Sequence, residues 1–479
     1  MKFMKKNLLK SIFLILVCII GLLAIYVLTT HNAIGLLNNK MLALRNDNGS
    51  IFMKYFLLCT SAFFCITIFC YYIFIQKNIR LKIKNEKKAV IVLIVLGLIV
   101  RIILALLVHG YPDDIICFKV WATSVAKNLP GFYISPQAAD YPPLYLYLLF
   151  IIGKLGSLGI TGRYFVLLLK LPAIIADMIT AYIIYRLARR RISVEISMLL
   201  VVFFVFNPAI LTNSSLWGQV DSLFALFIVA GMYFMIEEKL ELASVMLAFS
   251  VLMKPQGIIF LPVLFFELVR RKKLKNFFKS AGIALVVALL VVMPFNANRN
   301  ILWIVELYKK TVAEYPYATM NAYNLFYLFK ANYVDNSLSF LFLNYHTWGM
   351  IFIVLTTLFS WYIYVKGNNA KFGFLCALIQ ISGVYTLSVG MHDRYLFPAV
   401  ILAILSYIYL KDRRLLVLAI GFSFTVYLNT HVVLFKSLGG NINPLTDYRI
   451  GMVVSFINVL LLIYLIIVSI SNLISDKAS

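Results

Sequence analysis

Long apolar segments separated by short basic runs dominate this sequence. A membrane-spanning helix needs about 20 apolar residues, and the pattern predicts an all-α polytopic membrane protein with about 14 transmembrane helices. The predicted spans lie near 8–28, 51–75, 89–109, 164–185, 194–212, 218–236, 240–253, 255–269, 280–295, 346–365, 372–389, 394–410, 414–432 and 450–473. The short pair at 240–269 meets at Lys254-Pro255 and reads as a tight hairpin near the outer face.

The basic runs predict the orientation of these spans. Cytoplasmic loops carry an excess of Lys and Arg, so both termini are expected in the cytoplasm. The N-terminal apolar run at 11–29 is too long for a signal-peptide core, and an uncleaved anchor helix is expected there. The densest basic runs lie at 77–88, 186–191, 270–279 and 411–414.

The apolar segment 142–158 is predicted not to cross the membrane. It is about 17 residues long, at the lower limit for a span, and is interrupted by Gly153, Lys154 and Gly156. If it crossed, the basic run at 186–191 would face outward, against the positive-inside rule. We therefore expect an interfacial or re-entrant helix, and one outward loop over 110–163 that folds back onto the membrane.

Composition agrees with a membrane protein, because 62% of the residues are hydrophobic and only 13% are charged. The chain has 44 Lys and Arg against 19 Asp and Glu, a net charge of +25. Nucleic acid is not an expected partner, because the cations lie in short runs between apolar segments; membrane lipids are the expected partner. The six cysteines lack metal-binding spacing and are interpreted as small apolar residues.

Unusual polar residues collect in the segments predicted to face outward. A nucleotide-binding loop is not found in the cytoplasmic segments, so a group-transfer enzyme of this topology would need a donor carried by lipid, and polyprenyl-phosphate sugars fit. The candidate site residues are Asp113, Asp114, Asp140, Trp217, Gln219, Asp221, Lys254, Gln256, His392, Asp393, Arg394 and Tyr395.

Asp114 is the candidate catalytic base, with Asp113 beside it. Two close carboxylates raise the proton affinity of one of them, which suits acid–base chemistry near neutral pH. Alternatively, Asp114 could simply cap a helix over 115–127. Asp140 could form a pocket wall, or Asp140-Tyr141-Pro142-Pro143 could be a proline-initiated helix start.

Cations near these acids are candidate ligands for a phosphate. Arg394 can bind phosphate through two parallel hydrogen bonds, and Lys254 and His392 are further candidates. The alternatives are an ion pair between Asp393 and Arg394, and a Lys254 side chain that snorkels to the interface.

Trp217, Gln219 and Asp221 lie together at the top of a predicted span. A Trp at this depth is ordinarily an interfacial belt residue, but Gln219 and Asp221 at membrane depth favour a sugar-binding role. Asp177 lies inside a span, seven residues after Lys170 and on the same helix face, which predicts a buried structural pair or a partner on another helix. No cofactor is firmly implied, although Asp113, Asp114, Asp140 and Asp221 could hold a divalent cation.

Taken with their order and spacing, several short motifs resemble the GT-C superfamily of polytopic glycosyltransferases, in particular the bacterial branch related to glycosylphosphatidylinositol mannosyltransferase II. The resemblance covers about 89–410. It rests on Asp114 with Phe118, Trp121 and Ala122, Asp140 to Tyr145, Lys170 with Pro172 and Asp177, Asn207-Pro208, Trp217 to Gln219 with Asp221, Lys254 to Gln256, and His392 to Pro398.

The resemblance implies an acidic catalytic base in the first large outward loop, matched by Asp114, a polyprenyl- or dolichyl-phosphate donor, and inversion at the anomeric carbon. Protein O-mannosyltransferases and the lipid A aminoarabinose transferase are similar in having a Pro-Pro segment after an acidic residue and juxtamembrane helices before the next span. The chain departs from the family at Asp393, where a Glu is usual. The expected parts are two N-terminal helices and a basic linker (1–88), a catalytic membrane core (89–410) and C-terminal helices (411–479).

The expected function is transfer of a sugar, a mannose-like hexose, from a polyprenyl-phosphate donor to an acceptor hydroxyl on the outer face. The acceptor would be a cell-envelope glycan, lipid or protein, and Ile-, Lys- and Asn-rich usage suggests a bacterial plasma membrane. Two alternatives stay open: a transporter or flippase of lipid-linked saccharides, and an oligosaccharide ligase or polymerase.

Overall fold

The computed structural model describes residues 48–80, 85–159, 161–296, 300, 302–438 and 448–478. The described chain is mostly helical, with one two-stranded antiparallel hairpin that pairs β1 (Ser339–Phe340) with β2 (Leu343–Asn344). The predicted span at 8–28 lies outside the described residues. The helices are α1 (Asn48–Cys70), α2 (Glu86–Leu107), α3 (Pro112–Lys127), α4 (Pro143–Gly156), α5 (Phe165–Arg189), α6 (Val194–Val205), α7 (Pro208–Leu211), α8 (Asp221–Ile236), α9 (Leu240–Met253), α10 (Leu261–Arg271), α11 (Leu274–Val292), α12 (Trp303–Ala313), α13 (Leu325–Leu328), α14 (Tyr345–Gly367), α15 (Gly373–Leu387), α16 (Pro398–Leu410), α17 (Arg414–Leu438) and α18 (Tyr448–Ala478).

Nine helical stretches in the described ranges are long and apolar enough to cross a membrane. Each of them coincides with a span predicted from the sequence, so a multi-pass membrane protein is confirmed. They are Phe56–Gln76, Glu86–Leu107, Gly162–Arg189, Val194–Trp217, Leu274–Phe295, Tyr345–Gly367, Ala370–Leu387, Arg414–Phe435 and Tyr448–Ser475.

The other predicted spans correspond to shorter helices. α8, α9, α10 and α16 have 16, 14, 11 and 13 residues, and at about 1.5 Å per residue none reaches the roughly 30 Å of a bilayer core. The 14-residue α4, predicted not to cross, has a similar length. Helix length alone therefore does not distinguish α4, which was predicted not to cross the membrane, from the four short helices that were predicted to cross it. α16 differs from α4 in being almost wholly enclosed by other helices.

The predicted juxtamembrane helices are α3 and α4, and they pack directly against each other. A Cβ on Gly153 would lie 2.0 Å from the carbonyl oxygen of Ala122, so only a glycine permits this approach of the two backbones. α4 begins at Pro143, directly after Pro142, which confirms the proline-initiated helix start.

A buried ion pair joins α2 to α5 in the apolar interior. Nε of Arg101 lies 2.9 Å from Oδ2 of Asp177, and the two side chains are 0% and 1% exposed. Lys170, one of the expected partners of Asp177, binds other groups. Seven residues put two side chains on one helix face but about 10 Å apart along its axis, which is too far for direct contact. The alternative of a partner on another helix is the correct one.

The C-terminal helices hold a loop that follows α12. The side chain of Asn429 on α17 accepts hydrogen bonds from the Tyr323 backbone amide (3.1 Å) and the Tyr385 hydroxyl (2.8 Å), and donates one to the Asn321 carbonyl (2.7 Å). Asn458 on α18 donates a hydrogen bond to the carbonyl of Tyr323 at 2.8 Å. α17 and α18 therefore fix the position of this loop, which reaches the candidate site.

Candidate functional site

A π-turn between α7 and α8 presents two of the candidate residues. It covers Thr212–Trp217, and the backbone amides of Gly218 and Gln219 both donate to the carbonyl of Asn213 at 3.1 Å. Gly218 then has φ of 90°, a conformation that favours glycine. This sharp change of direction ends the helical path and points Trp217 and Gln219 toward α3. Short π-helical insertions occur frequently at functional sites.

Asp114 receives hydrogen bonds from both of these side chains. The Trp217 indole Nε1 donates to Oδ2 of Asp114 at 2.6 Å, and the Gln219 amide Nε2 donates to the same oxygen at 2.5 Å. Asp114 lies inside the first turn of α3, whose N-cap is Tyr111. The interpretation of Asp114 as an N-cap of a helix over 115–127 is therefore wrong, because the helix begins three residues earlier, at Pro112.

Trp217 is fully buried, with an exposed fraction of 0%. Its ring stacks on Tyr111 with centroids 4.6 Å apart and planes at 15°, and its carbonyl accepts the Tyr111 backbone amide at 3.0 Å. The alternative of an interfacial belt residue is therefore wrong. Trp217 instead connects the π-turn to the start of α3 through its ring, its indole nitrogen and its backbone.

Lys254 forms a second buried group of contacts with Asp221 and Gln219. Its Nζ makes a close ion pair with Oδ1 of Asp221 and donates to Oε1 of Gln219 at 3.1 Å. Nδ2 of Asn213 donates to Oδ2 of Asp221 at 2.9 Å. A snorkelling Lys254 is excluded by its burial. Its charge is already matched by Asp221, and its contact with Gln219 orients the amide that binds Asp114.

Arg394 lies beside both aspartates without tight contact to either. Its Nη2 is 3.8 Å from Oδ2 of Asp114, and its Nε is 4.0 Å from Oδ2 of Asp221. Its Nη1 donates to Oδ1 of Asp393 at 3.3 Å, as expected for an ion pair, and its guanidinium lies 5.3 Å from the centre of the Trp217 ring. Nε is buried without a hydrogen-bond acceptor, and the side chain is 12% exposed, so the guanidinium can exchange its long contacts for an anion.

We call these six contacting residues, Asp114, Trp217, Gln219, Asp221, Lys254 and Arg394, the site cluster. They come from four parts of the chain far apart in sequence. The exposed fractions of the Asp114 and Arg394 side chains are 21% and 12%. The site cluster therefore opens to its surroundings at the carboxylate and the guanidinium.

The segment that carries Arg394 is held by the loop after α12. The backbone amide of Met320 donates to the carbonyl of Met391 at 3.0 Å, and the His392 ring lies 4.9 Å from Tyr315 and 4.8 Å from Tyr395. Burial lowers the pKa of the His392 imidazole to about 3, and the charges of Arg394 and Lys254 act in the same direction. The His392 ring is therefore neutral rather than a cation.

Two carboxyl groups near the site cluster hold protons more tightly than usual. Burial raises the pKa of Asp393 to about 7, although Arg394 opposes the shift. Burial, with the charge of Glu314, raises the pKa of Asp140 to about 6. The residue after Asp140 is part of the site, because the Tyr141 ring centre lies 5.2 Å from Nζ of Lys254.

Six of the twelve predicted site residues lie outside the site cluster: Asp140, His392, Asp393 and Tyr395, described above, and Asp113 and Gln256. Asp113 is exposed, and among the described residues no hydrogen bond or ion pair joins its side chain to the cluster. Gln256 has a buried side-chain oxygen without a hydrogen-bond partner. No group of three or more His, Cys, Asp or Glu side chains in the described ranges is arranged to hold a metal ion.

Sequence reasoning missed three residues of the site. Tyr111 stacks on Trp217, Asn213 binds Asp221, and Tyr141 lies under Lys254. Tyr141 lies within a motif already singled out in the sequence, whereas Tyr111 lies two residues before Asp113 and Asn213 lies four residues before Trp217. The aromatic and amide residues flanking those motifs were therefore the available signal.

Comparison with known proteins adds the family. The family model for glycosyltransferase family 87 matches residues 140–386, just over half of the chain. The matched range includes Trp217, Gln219, Asp221 and Lys254, and the segments with Asp114 and Arg394 flank it on either side. No curated protein matches the chain. The chain belongs to glycosyltransferase family 87 and is a membrane glycosyltransferase.

Proposed function

We propose that this protein transfers a mannose-like hexose from a polyprenyl-phosphate donor to an acceptor hydroxyl, with inversion at the anomeric carbon. It acts on the extracytoplasmic face of a bacterial plasma membrane as a GT-C enzyme of about 14 spans related to glycosylphosphatidylinositol mannosyltransferase II, with both termini in the cytoplasm. The acceptor is a cell-envelope glycan, lipid or protein.

The observation that carries this proposal is the orientation of Asp114. Trp217 and Gln219 donate to the same oxygen, Oδ2, and no hydrogen bond from the described residues reaches Oδ1. A carboxylate held through one oxygen presents the other to a substrate in a fixed direction. A general base needs this arrangement, because the proton must lie within hydrogen-bond reach of the accepting atom.

The chemistry follows from placing an acceptor hydroxyl against Oδ1. Its proton passes to Asp114 while its oxygen forms a bond to the anomeric carbon of the donor. The bond between that carbon and the phosphate oxygen breaks, and its electron pair leaves with the polyprenyl phosphate. Charge then grows on the phosphate, where a preorganised cation lowers the barrier.

Arg394 is the phosphate ligand in this proposal. Lys254 and His392 were further candidates from the sequence, but Lys254 is ion-paired with Asp221 and the His392 ring is neutral. Arg394 keeps an unpaired Nε and makes its contacts to Asp114 and Asp221 at 3.8 and 4.0 Å. Its planar fork can bind a phosphate with two hydrogen bonds.

The remaining candidates shape the sugar pocket. Asp140 is a pocket wall that binds sugar or acceptor hydroxyls, and its raised pKa lets the neutral carboxyl donate as well as accept below about pH 6. Gln256 offers a buried amide oxygen without a partner, which suits a sugar hydroxyl. Asp393 accepts a hydrogen bond from Arg394, and its neighbours His392 and Tyr395 are further candidates for substrate binding. Asp113 adds negative charge beside the base.

A transporter or flippase is the weaker alternative. Such a protein would place unpaired acids and broken helices near the bilayer midplane, whereas the buried Asp177 is paired with Arg101, and the family is one of glycosyltransferases. An oligosaccharide ligase or polymerase would use a similar site and differs in the length of its product.

Reconstitution with defined donors tests the proposal. Purified protein in proteoliposomes is supplied with several polyprenyl-phosphate hexoses and a mixed acceptor extract. The mass of the product is measured by mass spectrometry. Addition of a single hexose from a lipid-phosphate donor is expected. Turnover only with a nucleotide sugar, or passage of the lipid-linked saccharide without bond formation, would refute it; a polymeric product would assign the ligase class. A parallel arm with chelator decides whether a divalent cation takes part.

A further inference from the structure

Lys170 lies inside the membrane-spanning helix α5 and is fully buried. Its ammonium group donates to backbone carbonyls rather than to a carboxylate. The oxygens of Val108 and Ser215 lie at 2.6 and 2.8 Å, and those of Leu216 and Ala105 at 3.3 and 3.4 Å. A lysine without a carboxylate partner at such a depth is costly, so a specific role is expected for it.

The carbonyls belong to the two segments that build the site cluster. Ala105 lies in the last turn of α2, the helix that leads to Asp114, and Val108 is its C-cap. Helix ends leave carbonyls without intrahelical partners, and a cation there is favourable. Ser215 and Leu216 lie in the π-turn directly before Trp217. The Lys170 ammonium group therefore binds both the segment that precedes Asp114 and the π-turn, which is followed by Gln219 and contains Trp217, the two hydrogen-bond donors to Asp114.

Two glycines allow these segments to come close enough. A Cβ on Gly218 would lie 3.2 Å from Cε of Lys170, and a Cβ on Gly110 would lie 2.5 Å from the carbonyl oxygen of Trp217. Both glycines have positive φ, 90° and 113°. The aliphatic part of the Lys170 side chain packs against Gly218. The Trp217 carbonyl packs against Gly110 and accepts a hydrogen bond from the Tyr111 backbone amide.

We propose that Lys170 is a positioning residue that holds the Trp217 indole against Asp114. It touches neither substrate nor the reacting atoms, and it acts by fixing the distance between the end of α2 and the π-turn. The role rests on the proposed function, in which Asp114 is the base. Loss of the ammonium group lets the two segments separate, and the carboxylate loses a hydrogen bond that stabilises its charged form.

The test variant is Lys170→Met, which keeps the length of the side chain and removes its charge. We expect kcat per folded molecule to fall by about 10²-fold, since small displacements of a catalytic group have that effect, with a smaller change in the KM for the donor. The acidic limb of the pH profile of kcat should move to higher pH. Trp217→Phe should move it in the same direction, and the double variant should be no worse than the poorer single variant because both remove the same contact.

Glu267→Gln is the matched control for a merely structural loss. Glu267 is buried and binds Arg270, Arg271 and Tyr364 through contacts of 2.6–2.8 Å, apart from the site cluster. Its loss should lower the thermal unfolding midpoint and leave the pH profile in place. If Lys170→Met does not accumulate, Gly110→Ala replaces it, because the added Cβ forces the same separation from the other side.

Normal kcat and an unmoved pH profile in Lys170→Met, or in Gly110→Ala where that replaces it, would overturn the role of Lys170. Full additivity with Trp217→Phe would overturn it as well. Wild type and Asp114→Asn run beside these variants separate the two levels. An inactive wild type, or an active Asp114→Asn, refutes the proposed function and this role with it. An active wild type with an inactive Asp114→Asn leaves the proposed function standing while the Lys170 variants decide this inference alone.

Discussion

Two arginine–aspartate groups in this protein use similar residues in opposite ways. In the embedded group, Arg101, Asp177 and Ser214, Nε of the arginine lies 2.9 Å from Oδ2 of the aspartate, and the Ser214 hydroxyl donates to the same oxygen at 2.7 Å. In the site cluster, Arg394 and Asp114 are 3.8 Å apart and both side chains are partly exposed. The two groups meet at one π-turn, which supplies Ser214 to the first and Trp217 to the second.

The difference lies in access to the charged groups. The embedded arginine also donates to the carbonyl of Val205 at 2.7 Å, and the Arg101 and Asp177 side chains are 0% and 1% exposed. Water or ligand therefore has no access to this pair, although Nη2 of Arg101 and Oδ1 of Asp177 have no hydrogen-bond partner. The site cluster holds one oxygen of Asp114 and leaves the guanidinium of Arg394 in long contacts. A closed pair joins helices, whereas an open pair can exchange its long contacts for a substrate.

Asp114→Asn is the change with the largest expected effect on this contrast. The Asn amide cannot take the proton from the acceptor hydroxyl, and loss of a general base costs about 10²–10⁴-fold in rate. The variant should accumulate and unfold near the wild-type temperature. Transfer from the lipid-linked donor is measured per folded molecule, with Asp113→Asn as the control that should stay within a few-fold of wild type. A slow Asp113→Asn and a fast Asp114→Asn would exchange the roles of the two residues.

Arg394→Gln should follow, with kcat lower by about 10²–10³-fold, the usual effect of removing one group that stabilises transition-state charge. Arg394→Lys keeps the charge and loses the planar fork, so its loss should be smaller. Steady-state kinetics with a fixed acceptor compares the two. Equal losses would mean that geometry rather than charge governs the contact, and unchanged kcat in both would remove Arg394 from the reaction.

Arg101→Met should act on stability instead. Breaking a buried pair by removing one partner costs about 3–5 kcal/mol, because it leaves an unpaired buried charge. The thermal unfolding midpoint in detergent should fall, while kcat per folded molecule should change little. The double variant Arg101→Met, Asp177→Leu removes both charges and should regain part of the loss. A double variant as unstable as the single one would mean that the cost is not electrostatic.

Asp140→Asn should have the smallest effect, a gain in stability whose size depends on pH. The folded protein binds the Asp140 proton more tightly than an unfolded chain, since its pKa is about 6 against about 3.9. Ionisation therefore destabilises the wild type as pH rises through this interval. The variant should unfold at the same temperature as wild type near pH 4 and at a higher one near pH 8. A difference independent of pH would show that the carboxyl is not destabilised by its burial.

The sequence predicted the members of the site cluster better than their contacts. Asp114, Trp217, Gln219, Asp221, Lys254 and Arg394 stood out because polar residues beside apolar spans are costly and form short motifs. Their pairings depend on which helices pack together, and one chain does not reveal this. Lys254 was a candidate phosphate ligand for this reason. Nothing in the sequence shows that it pairs with Asp221, which lies on a different helix.

The embedded group shows the same limit from the other side. Arg101 lies in the middle of an apolar run, and a charge there was a signal that the partner of Asp177 could lie on another helix. The nine long spans in the described ranges were predictable because length and apolarity alone define them. The shorter helices α8, α9, α10 and α16 also coincide with predicted segments, and α9 has the predicted bounds. The sequence did not predict where α8 and α10 begin, since these starts depend on local features such as the left-handed Gly218 and the break at Lys254-Pro255.

The anomeric configuration of the product tests the central claim most directly. The proposed reaction uses one base, Asp114, and one phosphate ligand, Arg394, and forms no covalent intermediate. It is therefore a single displacement, and a single displacement inverts the anomeric carbon. A donor of known anomeric configuration is supplied to the reconstituted protein, and the glycosidic linkage of the product is read by nuclear magnetic resonance. We expect inversion. Retention would contradict a single displacement, because retention needs a second displacement and a nucleophile. No residue of the site cluster has that role in the proposed reaction.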